Sequence, residues 1–273
     1  MFNMDALKIF AAACCFVVPS LSAEEMCTEQ VLHETFDGQQ LNHSLWSYDI
    51  GDGCDINLCG WGNGEQQFYH AENVSLRDGH LVIRADVDSE GKRIQSGKIT
   101  SRDKFAQRYG RFEARIKVPE GLGLWPAFWL MPDKQEKSWP LEGEIDILER
   151  PGRDLVDLRT IIGAAHFGEI WPGNTHFAQF LIMPQSWHQD FHRFAVDWTE
   201  GQIVWSVDGR EFARLTENDV APYAWPFNGK SFYVILNMAV GGTLGGDVHP
   251  ESFPAEMLVD YVKVSKYVPC DGA

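Results

Sequence analysis

Three carboxylates stand within one short stretch, Gly143-Glu144-Ile145-Asp146-Ile147-Leu148-Glu149. Ile145 and Ile147 favour extended chain. In a strand, successive side chains alternate between faces, so Glu144 and Asp146 point one way and the two Ile side chains the other. That alternation fits a sheet with one packed face and one wet face. Glu149 breaks the parity, because it stands five positions after Glu144. A regular strand would turn it to the apolar side. One inserted residue, a β-bulge around Ile147-Leu148, returns it to the side of the other acids. Three carboxylates on one face repel each other, so at least one holds its proton more tightly than a free Glu. A pair divided in this way, one ionised to attack and one protonated to donate, is the equipment of acetal hydrolysis at a sugar with retained configuration. An isolated Glu-x-Asp-x-x-Glu fits an exposed strand of solvated acids equally well. The flanks tip the balance. Trp125, Trp129 and Trp139 lie close upstream, and flat indoles suit the C–H faces of sugar rings, although a Trp taken alone is more often packing than ligand contact.

Gly123-Leu124-Trp125-Pro126-Ala127-Phe128-Trp129, then Trp139-Pro140, then Gly143 to Glu149, together resemble glycoside hydrolase family 16 of the laminarinase type, over a span from about His33 to Tyr267. The extra residue in Glu-x-Asp-x-x-Glu matches the laminarinase pattern; lichenases resemble Glu-x-Asp-x-Glu. The resemblance implies an all-β fold, a β-jelly-roll sandwich of two antiparallel sheets with a concave substrate cleft. It implies a retaining β-1,3-glucanase with Glu144 as nucleophile and Glu149 as general acid, then base. Asp146 would hydrogen-bond Glu144 and hold the two proton affinities apart. Trp125, Trp129 and Trp139 would bind sugar rings beside the bond. Asn63, in the loop Gly60-Trp61-Gly62-Asn63-Gly64-Glu65, would sit at the glycone end, and Trp61 there is as readily a surface turn. His166 would face the leaving-group side, with Trp171 on the next loop a weaker candidate, and Asn237 would border the catalytic residues. A structural calcium is implied at Glu34, the backbone of Gly79 and Asp260, as calcium prefers oxygen ligands. The reaction needs no redox cofactor or catalytic metal. One geometric difficulty stands: four strand steps span about 13 Å, whereas retention needs carboxyl groups roughly 5–5.5 Å apart. Curvature, the bulge and converging side chains must close that gap.

The elements that must position these residues read as strand and turn from Glu34 onward, with no long helical periodicity. Phe112, Ala114, Ile116 and Val118 alternate with Arg111, Glu113, Arg115 and Lys117, a half-exposed strand with solvated charges. Phe191 to Trp198 and Ile203 to Arg210 make a hairpin about Thr199-Glu200-Gly201, with Trp198 and Trp205 assigned to the core. Phe232 to Val240 is a buried strand opening into Gly241-Gly242, and Met257 to Tyr267 is the last strand. The sequence carries no internal repeat and no low-complexity linker.

The chain has 273 residues and a net charge of −16. That length allows one large all-β domain, and that charge makes nucleic acid a poor partner. A neutral polysaccharide is indifferent to it. Residues 1–23 read as a secretory signal: Lys8, an apolar run from Ile9 to Val18, and Ser20-Leu21-Ser22-Ala23 before a cut. The run is shorter than the roughly 20 residues of a membrane span. Residues 24–273 then form a single catalytic domain, expected to be a monomer, extracellular or, in a bacterium, periplasmic. Removal of the signal leaves Cys27, Cys54, Cys59 and Cys270. An even count in an exported chain suggests two disulfides, with three connectivities open. Cys54 and Cys59 bracket a short loop and can pair locally, which leaves Cys27 and Cys270 to tie the termini. A zinc site is the alternative, disfavoured because CxxC spacing is missing. Asn42-His43-Ser44 and Asn73-Val74-Ser75 are glycosylation sequons. Two rival functions use the same features: a non-catalytic β-glucan recognition protein, and a hydrolase or transglycosylase of another β-glucan or galactan.

Overall fold

The computed structural model describes residues 26–88, 91 and 93–270. The expected signal segment lies outside the described residues. Seven strands form an inner sheet in the order Asn174–Ile182, Thr160–Gly168, Glu144–Glu149, Leu124–Pro132, Phe232–Val240, Lys98–Thr100, Ser47–Tyr48. The acid-bearing strand thus has two strands on one side and four on the other. A second sheet of ten strands packs behind it. Pairing is antiparallel except for one short parallel contact, Phe68–Tyr69 with Ile94–Ser96. The architecture is the expected all-β jelly-roll sandwich. The α-helix among the described residues is a single turn, Gly242–Gly245, after the Gly pair, and no helix there is long and apolar enough to cross a membrane.

Alternation in the sequence becomes layering in space. On Gly110–Lys117, Phe112, Ala114 and Ile116 are buried between the sheets while Arg111, Glu113 and Arg115 stay half-buried on the outer surface. The hairpin pairs Trp198 with Ile203 and Val196 with Trp205, and both Trp rings are fully buried. Phe232–Val240 is buried at every position, because the cleft's own side chains cover its second face. The first strand begins earlier than the pattern suggested, at Met26, and ends at Glu34. There Glu34 Oε1 accepts the N–H of Phe36 at 3.0 Å, and Phe36 takes the left-handed region at φ 56°. That first strand pairs with the last, Ala255–Pro269, and Cys27–Cys270 ties their ends together. The second bridge is Cys54–Cys59. In the chain-entropy picture the long closure stabilises by about 5 kcal/mol and the short one by about 2. The sequons differ in access: Asn42 is exposed, while Asn73 is buried with Nδ2 donating to the Arg84 carbonyl at 2.9 Å.

Candidate active site

The pairing registers carry the site. Along one neighbour, Glu144 stands opposite His166, Asp146 opposite Ala164, and Glu149 opposite Ile162. Those partners are spaced by two, so all three acids share a face. Along the other neighbour, Asp146 stands opposite Trp129 and Glu149 opposite Ala127, with the register slipping between Asp146 and Leu148. The slip is the expected bulge. Ile147 and Leu148 both turn into the core, and Glu149 comes back to the acids' side. Across the core, Trp205 Nε1 donates to the Asp146 carbonyl at 2.8 Å, which pins the backbone beside the bulge. Gly143 enters the strand at φ 86°, where an added Cβ would lie 2.6 Å from the Phe227 ring. The same face continues outward: Trp129 pairs with Ile235, Ala127 with Asn237 and Trp125 with Ala239.

Each glutamate head has its own indole. Trp139 Nε1 donates to Glu144 Oε2 at 2.7 Å, and Trp125 Nε1 donates to Glu149 Oε1 at 3.0 Å. Asp146 lies between them with His166 Nε2 at 3.3 Å from Oδ2, and the same nitrogen is 4.0 Å from Glu144 Oε1. The imidazole approaches Asp146 as an ion-pair partner, out of line for a hydrogen bond. The expected wet face is therefore a misreading: Asp146 is 3% exposed and Glu149 8%. Trp125 and Trp139 from just upstream, and His166 from the neighbouring strand, close over the acids.

Burial then sets the proton affinities. Burial and the Asp146 charge push Glu144 up to about 7, against the pull of His166 and the Trp139 N–H. Burial and Asp146 push Glu149 well above the usual carboxylate range. Glu144 keeps 16% of its side chain open to the cleft, which leaves it the easier one to ionise. Burial lowers His166, but Asp146, Glu144 and Glu149 outweigh it and raise the imidazole to about 10. Glu144, Asp146 and His166 place ligand atoms within 4.8 Å of one another.

A cavity of about 230 Å³ opens beside the acids, lined among others by Trp125, Trp129, Asn63, Trp61, Lys98 and Asn237. Its wall is a hydrogen-bonded chain. Trp129 Nε1 donates to Asn237 Oδ1 at 2.7 Å, Asn237 Nδ2 to Tyr69 OH at 3.0 Å, and Tyr69 OH to Glu65 Oε2 at 3.1 Å. Asn63 Nδ2 reaches Glu65 Oε1 at 3.3 Å. Lys98 Nζ lies 3.9 Å from the Trp61 ring centroid and 3.6 Å from Asp49. Burial lowers this ammonium's proton affinity, against the Asp49 charge.

The sequence-chosen residues thus gather, but several hold different posts. Trp125 and Trp139 direct their N–H groups at the acids as well as offering rings. Asn237 orients Trp129 and not the carboxylates. His166 engages Asp146 and Glu144, with its ring 5.5 Å from Trp139 and 5.4 Å from His176. Sequence reasoning missed Tyr69, Glu65, Lys98 and the buttress from Trp205. A Lys flanked by Gly97 and Ile99 in a short strand was the one visible signal. The positions implied for calcium already carry contacts of their own. Asp260 Oδ2 accepts Arg115 at 2.6 Å and its other oxygen lies 3.8 Å from His80 Nε2. Glu34 Oε1 is already the acceptor for Phe36. The Glu34 and Asp260 carboxylates thus each hold a partner within the protein.

A bulged strand that lays two buried glutamates along the floor of a jelly-roll cleft is the frame of a glycoside hydrolase. The chain belongs to glycosyl hydrolases family 16, whose sequence profile matches residues 62–262. It is 36% identical over 255 residues to the "Beta-glucanase" of Rhodothermus marinus, covering 88% of this chain and 86% of that one. It is 37% identical over 258 residues to "Glucan endo-1,3-beta-glucosidase A1" of Niallia circulans, covering 86% of this chain but only 37% of the longer relative. The solved structure of the laminarinase from Rhodothermus marinus superposes with a TM-score of 0.78 at 37% identity, covering 89% of this chain and 99% of that one.

Proposed function

We propose that the protein is a secreted endo-β-1,3-glucanase that hydrolyses laminarin-like glucan with retention, residues 24–273 being its catalytic domain. The observation that carries this reading is the register slip at Ile147-Leu148, which puts Glu144 and Glu149 on one face, where burial beside Asp146 raises the proton affinity of both. Glu144, ionised and steadied by the Trp139 N–H, attacks the anomeric carbon. Glu149, protonated, donates to the departing glycosidic oxygen. The glycosyl–Glu144 ester is then hydrolysed by water that Glu149, now a carboxylate, deprotonates. Asp146 raises the proton affinity of both glutamates by its charge, and His166 balances the cluster as it cycles. Trp129, held by Asn237, is the sugar platform in the cavity, and Asn63 marks the glycone end. The names of the relatives support the β-1,3 linkage and internal cleavage. The negative surface suits a neutral polymer, and two disulfides suit an oxidising compartment.

The experiment is product release from laminarin, curdlan, lichenan and agarose in parallel, with Glu144→Gln and Glu149→Gln as controls. Reducing sugar from laminarin and curdlan, lost in both variants while the fold stays intact, is the expected result. Products from agarose alone overturn the substrate, and full activity in either variant overturns the assignment.

A further inference from the structure

A sheet edge is usually blunted by short length, by charge or by irregular pairing. The inner sheet ends on one side in Ser47–Tyr48, too short to recruit another strand. The outer sheet ends in Arg210–Thr216, which carries Arg210, Glu211 and Arg214 and a register shift against its neighbour. Asn174–Ile182, at the other end of the inner sheet, has none of these devices. It is nine residues long and, among the described residues, pairs only with Thr160–Gly168, without a shift in register. It holds no Asp, Glu, Lys or Arg in a chain of net charge −16. Burial and the His166 charge hold the His176 imidazole below its ordinary value, so it is neutral at neutral pH. Met183 N–H donates to the Arg159 carbonyl at 2.9 Å, one step beyond the last pair of the ladder. Hydrogen-bonded and open pairs alternate in an antiparallel ladder, so Leu181, Gln179, Phe177 and Thr175 turn their N–H and C=O groups to that neighbour. Ile182, Phe180, Ala178, His176 and Asn174 turn theirs to solvent. Phe180 and Ile182 share the cleft face with His176 and are each 59% exposed. Phe177 and Leu181 pack against the core and hold the strand in place.

We propose that Asn174–Ile182 is the docking strand for a second copy of the chain, the two strands pairing antiparallel about a two-fold axis through Ala178, in place of the monomer expected from the sequence. That register matches every outward-facing residue. Ala178 meets its own copy, Phe180 meets His176 of the partner subunit, and Ile182 meets Asn174 of the partner subunit. The missing charge selects this occupant. A cationic partner would need acids along the edge, and two copies that each carry −16 can meet closely only where charge is absent. The axis stands normal to the sheet, so both clefts open on the same face of one continuous layer. Phe180 of the partner subunit then lies beside His176, whose ring is 5.4 Å from His166.

The test is sedimentation of the purified chain over a range of concentrations, for wild type and two variants. Phe180→Lys changes a solvent-exposed side chain and places a cation from each copy near the axis. Ala178→Pro deletes an N–H that the existing ladder does not use. The wild type is expected to sediment as a reversible dimer. Each variant should raise the dissociation constant roughly a hundredfold while its circular-dichroism spectrum stays that of wild type. If Ala178→Pro does not fold, Phe180→Lys decides alone. A wild type that stays monomeric at every concentration overturns the proposal, and so does a dimer that folded variants leave intact, which would place the contact elsewhere. A monomeric wild type whose Phe180→Lys variant binds laminarin more weakly also overturns it, and assigns the edge to the polysaccharide.

Discussion

Two charged faces of this molecule, one on each sheet, are built from similar strands and behave in opposite ways. On the outer sheet each acid finds a base. Arg111 bonds Glu113 at 2.8 Å and Asp197 at 2.6 Å, and Arg115 bonds Asp260 at 2.6 Å. Burial would raise Glu113, but the Tyr261 hydroxyl and Arg111 prevail and lower it. On the inner sheet three acids share one imidazole, and both glutamates are pushed up. The outer face spreads its charge into pairs. The inner face concentrates charge where it costs stability, which is the pattern expected of catalytic carboxylates.

The comparison can be broken most severely at the acids. Glu149→Gln should reduce turnover of laminarin by roughly 10²–10⁴-fold, the usual worth of a general acid, and Glu144→Gln should do at least as much. The same substitutions should leave the protein as stable as wild type or more so at neutral pH. The sign follows from linkage. Glu144 in the folded chain stands at about 7, above its ordinary 4.5, so the folded state binds more protons between those values. Its contribution is fully present at low pH and is lost as pH rises through about 7. Thermal melts of Glu144→Gln against wild type across pH 4–8 should diverge, with wild type falling behind at the upper end; parallel curves would contradict the raised affinity.

A smaller effect is expected at His166. Its raised affinity means a stabilising imidazolium that is lost only as pH rises through about 10. His166→Gln removes the cation that helps Glu144 ionise. The acid limb of the kcat/KM profile should therefore move upward in pH, with activity near pH 6 falling roughly tenfold. An unmoved limb would detach His166 from the cluster. Trp205→Phe keeps the packing but removes the bond to the Asp146 carbonyl. It should cost about 1–2 kcal/mol in denaturant unfolding and lower kcat more than it raises KM. At the bottom of the scale, Arg115→Met on the outer sheet should change stability by no more than about 1 kcal/mol and leave activity alone.

Much of this contrast was legible in the sequence, because strand parity is local. The five-residue interval between Glu144 and Glu149 demanded an extra residue, and the bulge is there. The alternation in Gly110–Lys117 gave its buried and open faces, and the pair Trp198 and Trp205 went to the core. Both disulfides follow the pairing that loop length favoured. What stayed hidden depends on partners far along the chain. Tyr69 meets Asn237 across 168 positions and Trp205 meets Asp146 across 59. No periodicity reports such contacts. The acids looked wet for a related reason: His166 reaches them from the neighbouring strand, and Trp125 and Trp139, though near in sequence, turn their N–H groups onto the carboxylates only in the fold.

The roles of the two glutamates can be read from one product. Glu144→Ala and Glu149→Ala are supplied with azide and an activated aryl glycoside, and the anomeric configuration of the glycosyl azide is determined by NMR. With Glu149 gone, azide should replace water on the glycosyl–Glu144 ester and give the β-azide. With Glu144 gone, it should attack directly and give the α-azide. The opposite pairing, or the same anomer from both variants, would contradict the assignment.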